Sequence, residues 1–488
     1  MADLSKLVLL HSNDMHGDFL AEEGDGKLIG GVSLLSGYIK AVREKEENTL
    51  FAIAGDMFRG SIIDSEYRGF STIELMNFLS PDVVTLGNHE VDYGLAHLLF
   101  LEKCAKFPIV NANMYIKTNH TRLFSPYKVI ETGGMRIMFI GIITEEVLAS
   151  TRSEEVIGSF IDVWDAARQI GVIVDNYKTT SIDLTVLLTH IGFDKDQELA
   201  NLLDPNWGVD LIIGGHTHTL LEEPCIVNGI PIVQVGTGTD QIGRFDIMID
   251  TSEHKMASYK WECIPISSQT CENDPILEDV LNSYKDETDR KYHKIITNFK
   301  RQLTHPDRYQ ETELGNLFAD LLQVDSSFDI MLYASGSIRY QELGPIVEYQ
   351  DLKECLPFND AVYMLEVSGA QFRHMMKFML RDEAFVEGAH SEFYQVSKGV
   401  KMVYDRSRHE FEEFSFNGQE ISDDQMLKIA LQDYHYKNFT EFFDVPFEKV
   451  IANRKPRMVI TEDFSIFEEL LSSMNNIDAH VEGRIIVK

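Results

Sequence analysis

Short apolar runs alternate with longer mixed segments from the N-terminus to about residue 265. The apolar runs are rich in Val and Ile, and each is too short to form a helix. This alternation is typical of buried strands joined by helices, and it predicts an α/β sheet for this half of the chain. The clearest predicted strands cover residues 7–10, 51–54, 83–86, 184–188 and 211–213.

A polar cluster follows each predicted strand directly. Every cluster contains at least one Gly together with an Asp, an Asn or a His. In open α/β sheets, ligands bind beyond the carboxyl ends of the strands, so we expect these clusters to meet at one edge of the sheet. In chain order the clusters are SNDMHGD, GDMFRG, GNHEVDYG, THIGFD and GGHTH.

The chain is too long for one hydrophobic core. Its 488 residues exceed the roughly 250–300 residues at which a single core stops growing. Asp274 and Pro275 begin a predicted helix, because a capping residue followed by proline is typical of a helix start. We expect this helix to run to the high 290s. The predicted parts are a first domain at residues 1–270, a linker helix at 271–300 and a second mixed α/β domain at 301–488.

Composition and charge narrow the classes of function. The chain carries 44 basic and 78 acidic side chains, and its net charge of −34 repels long nucleic acids. A small phosphate ester is still compatible, because bound cations reverse the potential locally. No apolar run is long enough to span a bilayer, and residues 7–10 are too few for a signal peptide. We therefore expect a cytoplasmic protein without a membrane partner.

Histidines are concentrated in the polar clusters. Asp14 and His16 form a D-x-H pair, whose oxygen and nitrogen donors suit zinc, manganese or iron. Taken alone, a capping Asp and a surface His explain the pair better, and a turn explains Asp56 after Gly55. Chance does not explain all clusters together, because they hold five of the sixteen histidines. These are His16, His89, His190, His216 and His218.

In these motifs the chain resembles the calcineurin-like metallophosphoesterases and, within them, the 5'-nucleotidases. That superfamily has the pattern D-x-H, G-D, G-N-H-E, a His after a later strand, and G-H-x-H, and every position is filled here. The resemblance implies an N-terminal four-layer α/β/β/α sandwich that binds two divalent cations, Zn, Mn or Fe. The implied ligands are Asp14, His16 and His218 for one cation, Asn88, His190 and His216 for the other, and Asp56 as the bridge.

The resemblance also implies how such a site cleaves a phosphate ester. Two cations roughly 3.5–4 Å apart lower the pKa of a bridging water, which supplies hydroxide, and clamp the phosphoryl oxygens. His89 has no place in the ligand set, and the family assigns this His to transition-state stabilisation or leaving-group protonation. Asp92 is the implied acidic partner that orients His89. Glu90 is interpreted as structural.

The C-terminal half resembles the C-terminal domain of the 5'-nucleotidases in the segments ELGNLFAD, GSIR, LPFND and VEGRI. In that family the domain binds the nucleoside and swings toward the metal domain. The resemblance implies that Arg339 binds an anionic group of the substrate, because a guanidinium pairs well with phosphate oxygens. It also implies that Phe358 and Tyr434 clamp the base between two aromatic faces. Without the resemblance, Arg339 is a surface charge and both aromatic residues are core residues.

Three segments depart from the family pattern. Ala334 replaces the leading Asn of N-x-G-G-I-R, and Gln310 stands where a phosphate-binding Arg is common, with Arg308 nearby. Residues 438–441 replace a Gly-Gly-Asp-Gly run whose Asp holds the ribose hydroxyls, and Thr440 cannot replace that charged acceptor. The sequence therefore indicates the reaction more firmly than the substrate.

The expected function is hydrolysis of a small phosphorylated substrate, a 5'-nucleotide, to nucleoside and phosphate. Two other reactions fit the same cations: hydrolysis of a 2',3'-cyclic nucleotide, and hydrolysis of a nucleotide diphosphate such as a nucleotide sugar. A third alternative is a non-catalytic sensor of phosphorylated ligands. The presence of His89 and Asp92 argues against the sensor.

Overall fold

The structure, a computed structural model, forms two compact units, Met1–Thr288 and Asp289–Lys488. Separate clusters of buried apolar side chains form the cores of each unit. No helix among the described residues has both the length and the apolar character that a membrane span needs. The described residues are 3–24, 26–116, 119, 121–144, 157–158, 162–177, 180–323, 327–386, 391–452 and 454–488.

Two six-stranded sheets form the centre of the first unit, and each contains four neighbouring parallel strands. In spatial order the first sheet consists of Lys255–Pro265, Gln241–Asp250, Leu4–Ser12, Thr49–Ala54, Val83–Thr85 and Ile109–Val110. The second consists of Cys225–Val227, Ile230–Val233, Leu211–Ile213, Leu184–His190, Met135–Ile143 and Tyr127–Thr132.

The two sheets pack face to face because side chains alternate along each strand. In the first sheet, Leu7 joins a core shared with the second sheet, whereas Val8 joins a core with helices. In the second sheet, Val186 joins the shared core and Leu187 joins a different core with helices. Each sheet is therefore covered by the other sheet on one face and by helices on the opposite face. This is the four-layer α/β/β/α arrangement that the resemblance implied.

Among the described residues, seven helices cover the outer faces of the two sheets. On the first sheet these are Val32–Lys45, Ile62–Glu66, Phe70–Leu79, Leu95–Cys104 and Pro275–Tyr292. On the second sheet these are Val163–Asp175 and Phe193–Leu202.

The helix that begins at Pro275 ends at Tyr292, earlier than predicted. The residues after it form the strand Ile295–Asn298, which pairs with Ile346–Glu348. The β-branched run from Ile295 to Thr297 explains the difference, because branching at Cβ restricts side-chain rotamers in a helix and suits a strand. The predicted linker span thus contains a helix followed by a strand.

A five-stranded mixed sheet organises the second unit. On one face Tyr333 joins a core with the helices Glu313–Leu322 and Asp463–Ser473. On the other face Leu332 joins a core with the helix Gly369–Met379. In spatial order the sheet consists of Tyr394–Val396, Ile330–Ala334, Met426–Gln432, Val362–Ser368 and Arg457–Ile460. A four-stranded sheet consists of Gln419–Glu420, Glu410–Phe416, Val400–Asp405 and Ile485–Val487.

Short elements complete the described parts of both units. In the first unit they are the strand pairs Glu22–Gly24 with Lys27–Ile29 and Tyr115–Ile116 with Ile157–Gly158, and the 3₁₀ turns His89–Val91 and Pro205–Trp207. In the second unit they are the strand pair Leu303–Thr304 with Glu342–Leu343, the helices Tyr349–Cys355, Asp433–Lys437, Phe439–Phe443 and Phe447–Ile451, and the 3₁₀ turns Ser335–Ser337 and Asp382–Phe385.

Candidate metal centre

The predicted metal ligands follow strands in both sheets of the first unit. The sequence pattern predicted one sheet edge, whereas the structure uses two edges that the face-to-face packing brings together. The first sheet supplies Asp14 and His16 after Leu4–Ser12, Asp56 after Thr49–Ala54 and Asn88 after Val83–Thr85. The second sheet supplies His190 at the end of Leu184–His190, and His216 and His218 after Leu211–Ile213.

Five of these seven residues have a left-handed backbone conformation. For a residue with a Cβ atom this conformation costs roughly 1–2 kcal/mol, so the surrounding structure must hold it. The N–H of Asp14 donates to Gly55 O at 3.1 Å, and the N–H of His16 donates to Asp56 O at 2.9 Å. The turns of the two strands thus support each other. The φ angles are 50° at Asp14, 50° at His16, 52° at Asp56, 84° at His216 and 52° at His218.

Asp14, His16 and His218 form a first donor group. His16 Nε2 lies 2.9 Å from His218 Nε2. Asp14 Oδ1 lies 3.5 Å from His218 Nε2 and 3.9 Å from His16 Nε2. Asp14 is fully buried, whereas both imidazoles reach solvent. A buried carboxylate beside two imidazole nitrogens is a suitable ligand set for a divalent cation.

Asp56, His190 and His216 form a second donor group, and His216 Nδ1 lies 2.7 Å from Asn88 Oδ1. His190 Nδ1 lies 2.8 Å from the carbonyl oxygen of Ala54 and therefore carries the ring hydrogen. Its Nε2 is buried and faces Asp56 Oδ2 at 3.1 Å. Metal-binding histidines commonly hold one ring nitrogen on a carbonyl and present the other to the cation. His190 fits this pattern.

Asp56 lies between the two donor groups. Its Oδ2 is 3.1 Å from His190 Nε2 and 3.8 Å from His16 Nε2. Burial raises the pKa of the Asp56 carboxyl, but the charge and hydrogen bond of His190 together with the N–H and charge of His89 outweigh burial and lower this pKa to about 2. Burial lowers the pKa of His190, but the carboxylates of Asp56 and Asp14 outweigh burial and raise this pKa to about 9. The cluster therefore attracts positive charge at the place where a cation would bind.

Two buried polar side chains support the ligands. Glu90 accepts hydrogen bonds from the N–H groups of Asp56, at 3.0 Å, and Gly87, at 2.5 Å, and so joins two ligand-bearing turns. This agrees with the structural interpretation of Glu90. Asn13, which sequence reasoning missed, donates from Nδ2 to Asp14 Oδ2 at 2.8 Å. Its place inside the SNDMHGD cluster was the available signal.

His89 and Asp92 form the expected pair beside the donor groups. His89 Nδ1 lies 2.7 Å from Asp92 Oδ2, and the His89 N–H donates to Asp56 Oδ1 at 2.9 Å. The hydrogen bond with Asp92 raises the pKa of His89. Because Nδ1 is engaged, Nε2 is the ring atom that can exchange a proton with a substrate. A ring nitrogen of His89 also lies within 4.8 Å of donor atoms of His16 and Asp56.

Arg59 is a second residue that sequence reasoning missed. Its Nε donates to Asp92 Oδ2 at 2.6 Å, the same oxygen that His89 contacts. Burial raises the pKa of Asp92, but the hydrogen bonds from His89 and Arg59 outweigh burial and lower it. Its position in GDMFRG, directly after a ligand-bearing turn, is the one sequence signal that could have drawn attention to it.

In the second unit, the structure brings Arg339 and Phe358 together. The guanidinium carbon of Arg339 lies 5.0 Å from the centre of the Phe358 ring. Phe358 is 43% exposed and Tyr434 is 51% exposed, so neither is a core residue. The Tyr434 ring lies 5.8 Å from that of Phe442. Within the described part of the unit, no ring contact joins Tyr434 to Phe358 and no carboxylate pairs with Arg339.

Arg308 and Thr440, which lie in segments that depart from the family pattern, contact other residues of the second unit. Arg308 Nη2 forms an ion pair with Glu392 Oε2 at 2.7 Å, and the other Glu392 oxygen accepts the N–H of Gly336 at 3.0 Å. The charge of Arg308 is therefore balanced within the protein. Thr440 Oγ1 accepts the N–H of Phe447 at 3.1 Å.

Family models match both units of the chain. The model described as calcineurin-like phosphoesterase matches residues 7–220, and the model described as 5'-nucleotidase, C-terminal domain, matches residues 293–445. The chain contains a calcineurin-like phosphoesterase domain and a 5'-nucleotidase C-terminal domain. A snake venom 5'-nucleotidase from Naja atra is 27% identical over 449 residues, which cover 83% of this chain and 82% of that relative. The family resemblance drawn from the sequence motifs is thereby confirmed.

Solved structures of similar proteins share this fold. A 5'-nucleotidase precursor from Thermus thermophilus matches with a TM-score of 0.58 and 23% identity, covering 99% of both chains. The NAD nucleotidase of Haemophilus influenzae matches with a TM-score of 0.56 and 18% identity, again covering 99% of both chains. The predicted two-domain α/β architecture is confirmed. Membership among the calcineurin-like phosphoesterases also confirms the predicted class of enzyme, a metallophosphoesterase.

Proposed function

We propose that this protein hydrolyses the phosphate monoester of 5'-nucleotides with the help of two divalent cations. The observation that carries the proposal is the convergence of two donor groups beside the His89–Asp92 pair. The same site can therefore bind cations and transfer a proton. In-line displacement at phosphorus uses both.

The proposed ligands follow the two donor groups. Divalent cations bound there would activate a water molecule and neutralise the phosphoryl oxygens. Oxygen and nitrogen donors suit Zn, Mn and Fe alike, so an experiment must identify the cation. We assign Asp14, His16 and His218 to one cation, Asn88, His190 and His216 to the other, and Asp56 to both.

His89 is the proposed proton donor to the leaving group. Asp92 holds Nδ1, so Nε2 can donate to the ester oxygen as its bond to phosphorus breaks. A nucleoside is a poor leaving group without this proton, because its 5'-alkoxide is strongly basic. A positioned general acid typically accelerates such a step by about 10²–10⁴-fold.

We propose that the second unit binds the nucleotide. Exposed aromatic rings such as Phe358 and Tyr434 can stack on any nucleobase, because every base has a π face. Arg339 lies against Phe358 and has no carboxylate partner among the described residues, so its guanidinium can pair with an anionic substrate group.

A second candidate is cleavage of a nucleotide diphosphate, such as a dinucleotide or a nucleotide sugar, on the same cations. Two observations favour it. The Thr440 hydroxyl, which stands in the segment where the family holds the ribose, accepts the N–H of Phe447 instead. The similar H. influenzae protein is described as an NAD nucleotidase. A 2',3'-cyclic nucleotide is a further alternative substrate.

A substrate screen tests the proposal. Protein loaded separately with Mn²⁺, Zn²⁺, Co²⁺ or Mg²⁺ is given nucleoside 5'-monophosphates, a nucleotide sugar, a dinucleotide and a 2',3'-cyclic nucleotide, and the first product is identified by mass spectrometry. We expect nucleoside and phosphate from the monophosphates. Release of a nucleoside monophosphate from the diphosphates alone would favour the second candidate, and no product from any substrate would contradict both.

His89→Ala separates the enzyme from a sensor. We expect this variant to lose turnover by about 10²–10⁴-fold while still binding nucleotide, because it removes the proton donor and leaves the cation ligands in place. Unchanged behaviour of His89→Ala would favour a non-catalytic sensor of phosphorylated ligands.

A further inference from the structure

Arg59 is fixed by its own backbone and not only by its side chain. Its φ of 69° is left-handed, which is unfavourable for a residue of this size. Its N–H donates to Asp64 Oδ2 at 2.9 Å. Asp64 is fully buried, and the same oxygen accepts the hydroxyl of Tyr93 at 2.7 Å. The turn that carries Arg59 is therefore anchored in the interior of the first unit.

The side chain of Arg59 is directed toward the proposed proton donor. Its Nε donates to Asp92 Oδ2 at 2.6 Å, and its guanidinium carbon lies 6.0 Å from the centre of the Tyr93 ring. The side chain is 54% exposed, whereas that of Asp92 is 12% exposed. An exposed Arg with an unfavourable backbone and a buried anchor is unlike an ordinary surface charge, whose side chain exchanges freely among rotamers.

We propose that Arg59 is a positioning residue that orients His89 through Asp92. The single oxygen Asp92 Oδ2 accepts from both His89 Nδ1, at 2.7 Å, and Arg59 Nε, at 2.6 Å. Two donors fix the rotation of the carboxylate about its Cβ–Cγ bond, and the fixed carboxylate fixes the imidazole. The inference rests on the proposed function, in which His89 Nε2 protonates the leaving group.

Leaving groups of different basicity test this role. Arg59→Gln should lower kcat about tenfold for a nucleoside 5'-monophosphate, in the range that loss of an outer hydrogen-bond partner costs. It should change kcat less than about threefold for p-nitrophenyl phosphate, whose leaving group needs no proton. KM should stay unchanged for both. Equal losses on both esters, or a raised KM, would show that Arg59 binds the phosphate itself and would overturn the inference.

A double-mutant cycle tests the route through Asp92. In the Asp92→Ala background, Arg59→Gln should cause no further loss of kcat, because the acceptor that links the two side chains is gone. A further tenfold loss in that background would overturn the inference. Arg59→Met serves if Arg59→Gln folds poorly, because Met keeps a long side chain but has no N–H donor, and it should give the same pattern. Wild-type behaviour of Arg59→Met would contradict the proposal.

Arg68 provides a matched control. It is also an exposed Arg with a left-handed backbone, at φ 49°, but it is not a contact of Asp92. Glycine at either position relieves the unfavourable φ, so Arg59→Gly and Arg68→Gly should both raise the melting temperature. Only Arg59→Gly should lower kcat. If Arg59→Gly keeps full kcat on the nucleotide, the inference fails.

A spectroscopic readout distinguishes failure of the inference from failure of the proposed function. In protein labelled with ¹⁵N-histidine, the His89 Nδ1–H should give a slowly exchanging proton signal that is absent in Asp92→Ala, which has no acceptor at this position. The signal should be weakened in Arg59→Gln and unchanged in Arg68→Gly. This pattern in a protein without phosphatase activity would refute the proposed function and support the positioning role. An unchanged signal in Arg59→Gln would overturn that role.

Discussion

Five candidate ligands adopt left-handed backbone conformations that most residues avoid. A strand that ends in an ordinary extended residue directs its next side chains alternately to the two faces of the sheet. A left-handed residue at the strand end reverses this direction within one or two positions. Asp14 and His16 thereby place two donor atoms on the same side, with Asp14 Oδ1 3.9 Å from His16 Nε2. The donor atoms converge only because these residues adopt unfavourable φ angles. The hydrogen bonds between the turns offset the energy that those angles cost.

Asp56→Asn tests the residue that lies between the donor groups. The amide keeps an oxygen for the His89 N–H but loses the charge that faces His190 and His16. We expect metal affinity to fall more than 100-fold, beyond the roughly 10–100-fold cost of losing an outer hydrogen-bond partner. Metal content after dialysis, measured by mass spectrometry, checks this. The exposed Asp194→Asn is the control, and full metal content in Asp56→Asn would contradict the bridging role.

His11 gives the first unit a specific sensitivity to acid. It is fully buried, and its Nε2 accepts the indole N–H of Trp261 at 3.0 Å. Burial lowers the pKa of His11 to about 3, against roughly 6.5 in an unfolded chain. Between these values the unfolded state binds a proton that the folded state excludes. Its contribution to stability is therefore complete above about pH 6.5 and is lost as the pH falls toward 3.

His11→Asn removes this titrating group. Because the amide does not take up a proton, we expect the free energy of unfolding to fall less steeply between about pH 6.5 and pH 4 than in the wild-type protein. Urea unfolding at a series of pH values measures the slope. His409→Asn, which removes an exposed histidine, should leave the slope unchanged. An unchanged slope in His11→Asn would show that His11 does not cause the acid sensitivity.

At the scale of residues, the sequence predicted the candidate metal ligands but not the residues that hold them and His89 in place. Asp14, His16 and His190 could be singled out because each stands at the end of an apolar run. Arg59 could not, because its role depends on a left-handed turn and a contact with Asp92. The sequence shows which residues follow a strand. Contacts between side chains of different turns arise only from tertiary packing, so the sequence does not show them.

At the scale of elements, the predicted strands exist, but their assignment to sheets was beyond the sequence. Residues 51–54 and 184–188 have the same apolar pattern, yet they lie in different sheets. Both strands are buried on two faces, by the opposite sheet and by helices, so hydrophobicity alone gives no sign of the partner. The end of the linker helix was missed because its apolar spacing continues into the β-branched strand Ile295–Asn298.

Gly37 tests how the helix Val32–Lys45 packs. A Cβ atom at Gly37 would lie 1.7 Å from the backbone oxygen of Glu272. That segment is also held by Ser36, whose hydroxyl donates to Asp274 Oδ2 at 2.6 Å. Alanine favours an isolated helix by about 1 kcal/mol over glycine, but we expect Gly37→Ala to destabilise the unit by about 1–3 kcal/mol. Urea unfolding checks the sign.

Lys45→Ala is the control on the same helix, because Lys45 is exposed. This variant should change the free energy of unfolding by less than about 0.5 kcal/mol. A stabilised Gly37→Ala protein would mean that the segment around Glu272 moves away easily and does not dock tightly on the helix.

At the scale of the whole molecule, the two units have separate cores and should unfold in two steps. All three tryptophans, Trp164, Trp207 and Trp261, lie in the first unit, so their fluorescence reports on that unit alone. Circular dichroism reports on both. We expect a saturating divalent cation to raise the midpoint of the unfolding transition that fluorescence detects. The midpoint of the second unit's transition, which only circular dichroism detects, should stay unchanged. At 100 times the dissociation constant, binding adds about 2.7 kcal/mol to the stability of the unit that binds.

Chelator and variant controls complete this test. Excess EDTA should return the fluorescence transition to its original midpoint, and Asp56→Asn should show no cation-dependent shift. A single transition that coincides by both probes would show that the units unfold cooperatively. A cation-dependent shift of the second transition would place cation binding outside the first unit.

The use of two sheets for one site has a consequence during synthesis. His16 and His218 touch across 202 residues of chain, so the first donor group is complete only after most of the first unit has been translated. At about 5–20 residues per second, Asp14 and His16 wait roughly ten seconds or more for their partner. Contacts this distant in sequence also form slowly once the chain is available. Because each donor group draws on both sheets, the complete site forms only once the two sheets have docked.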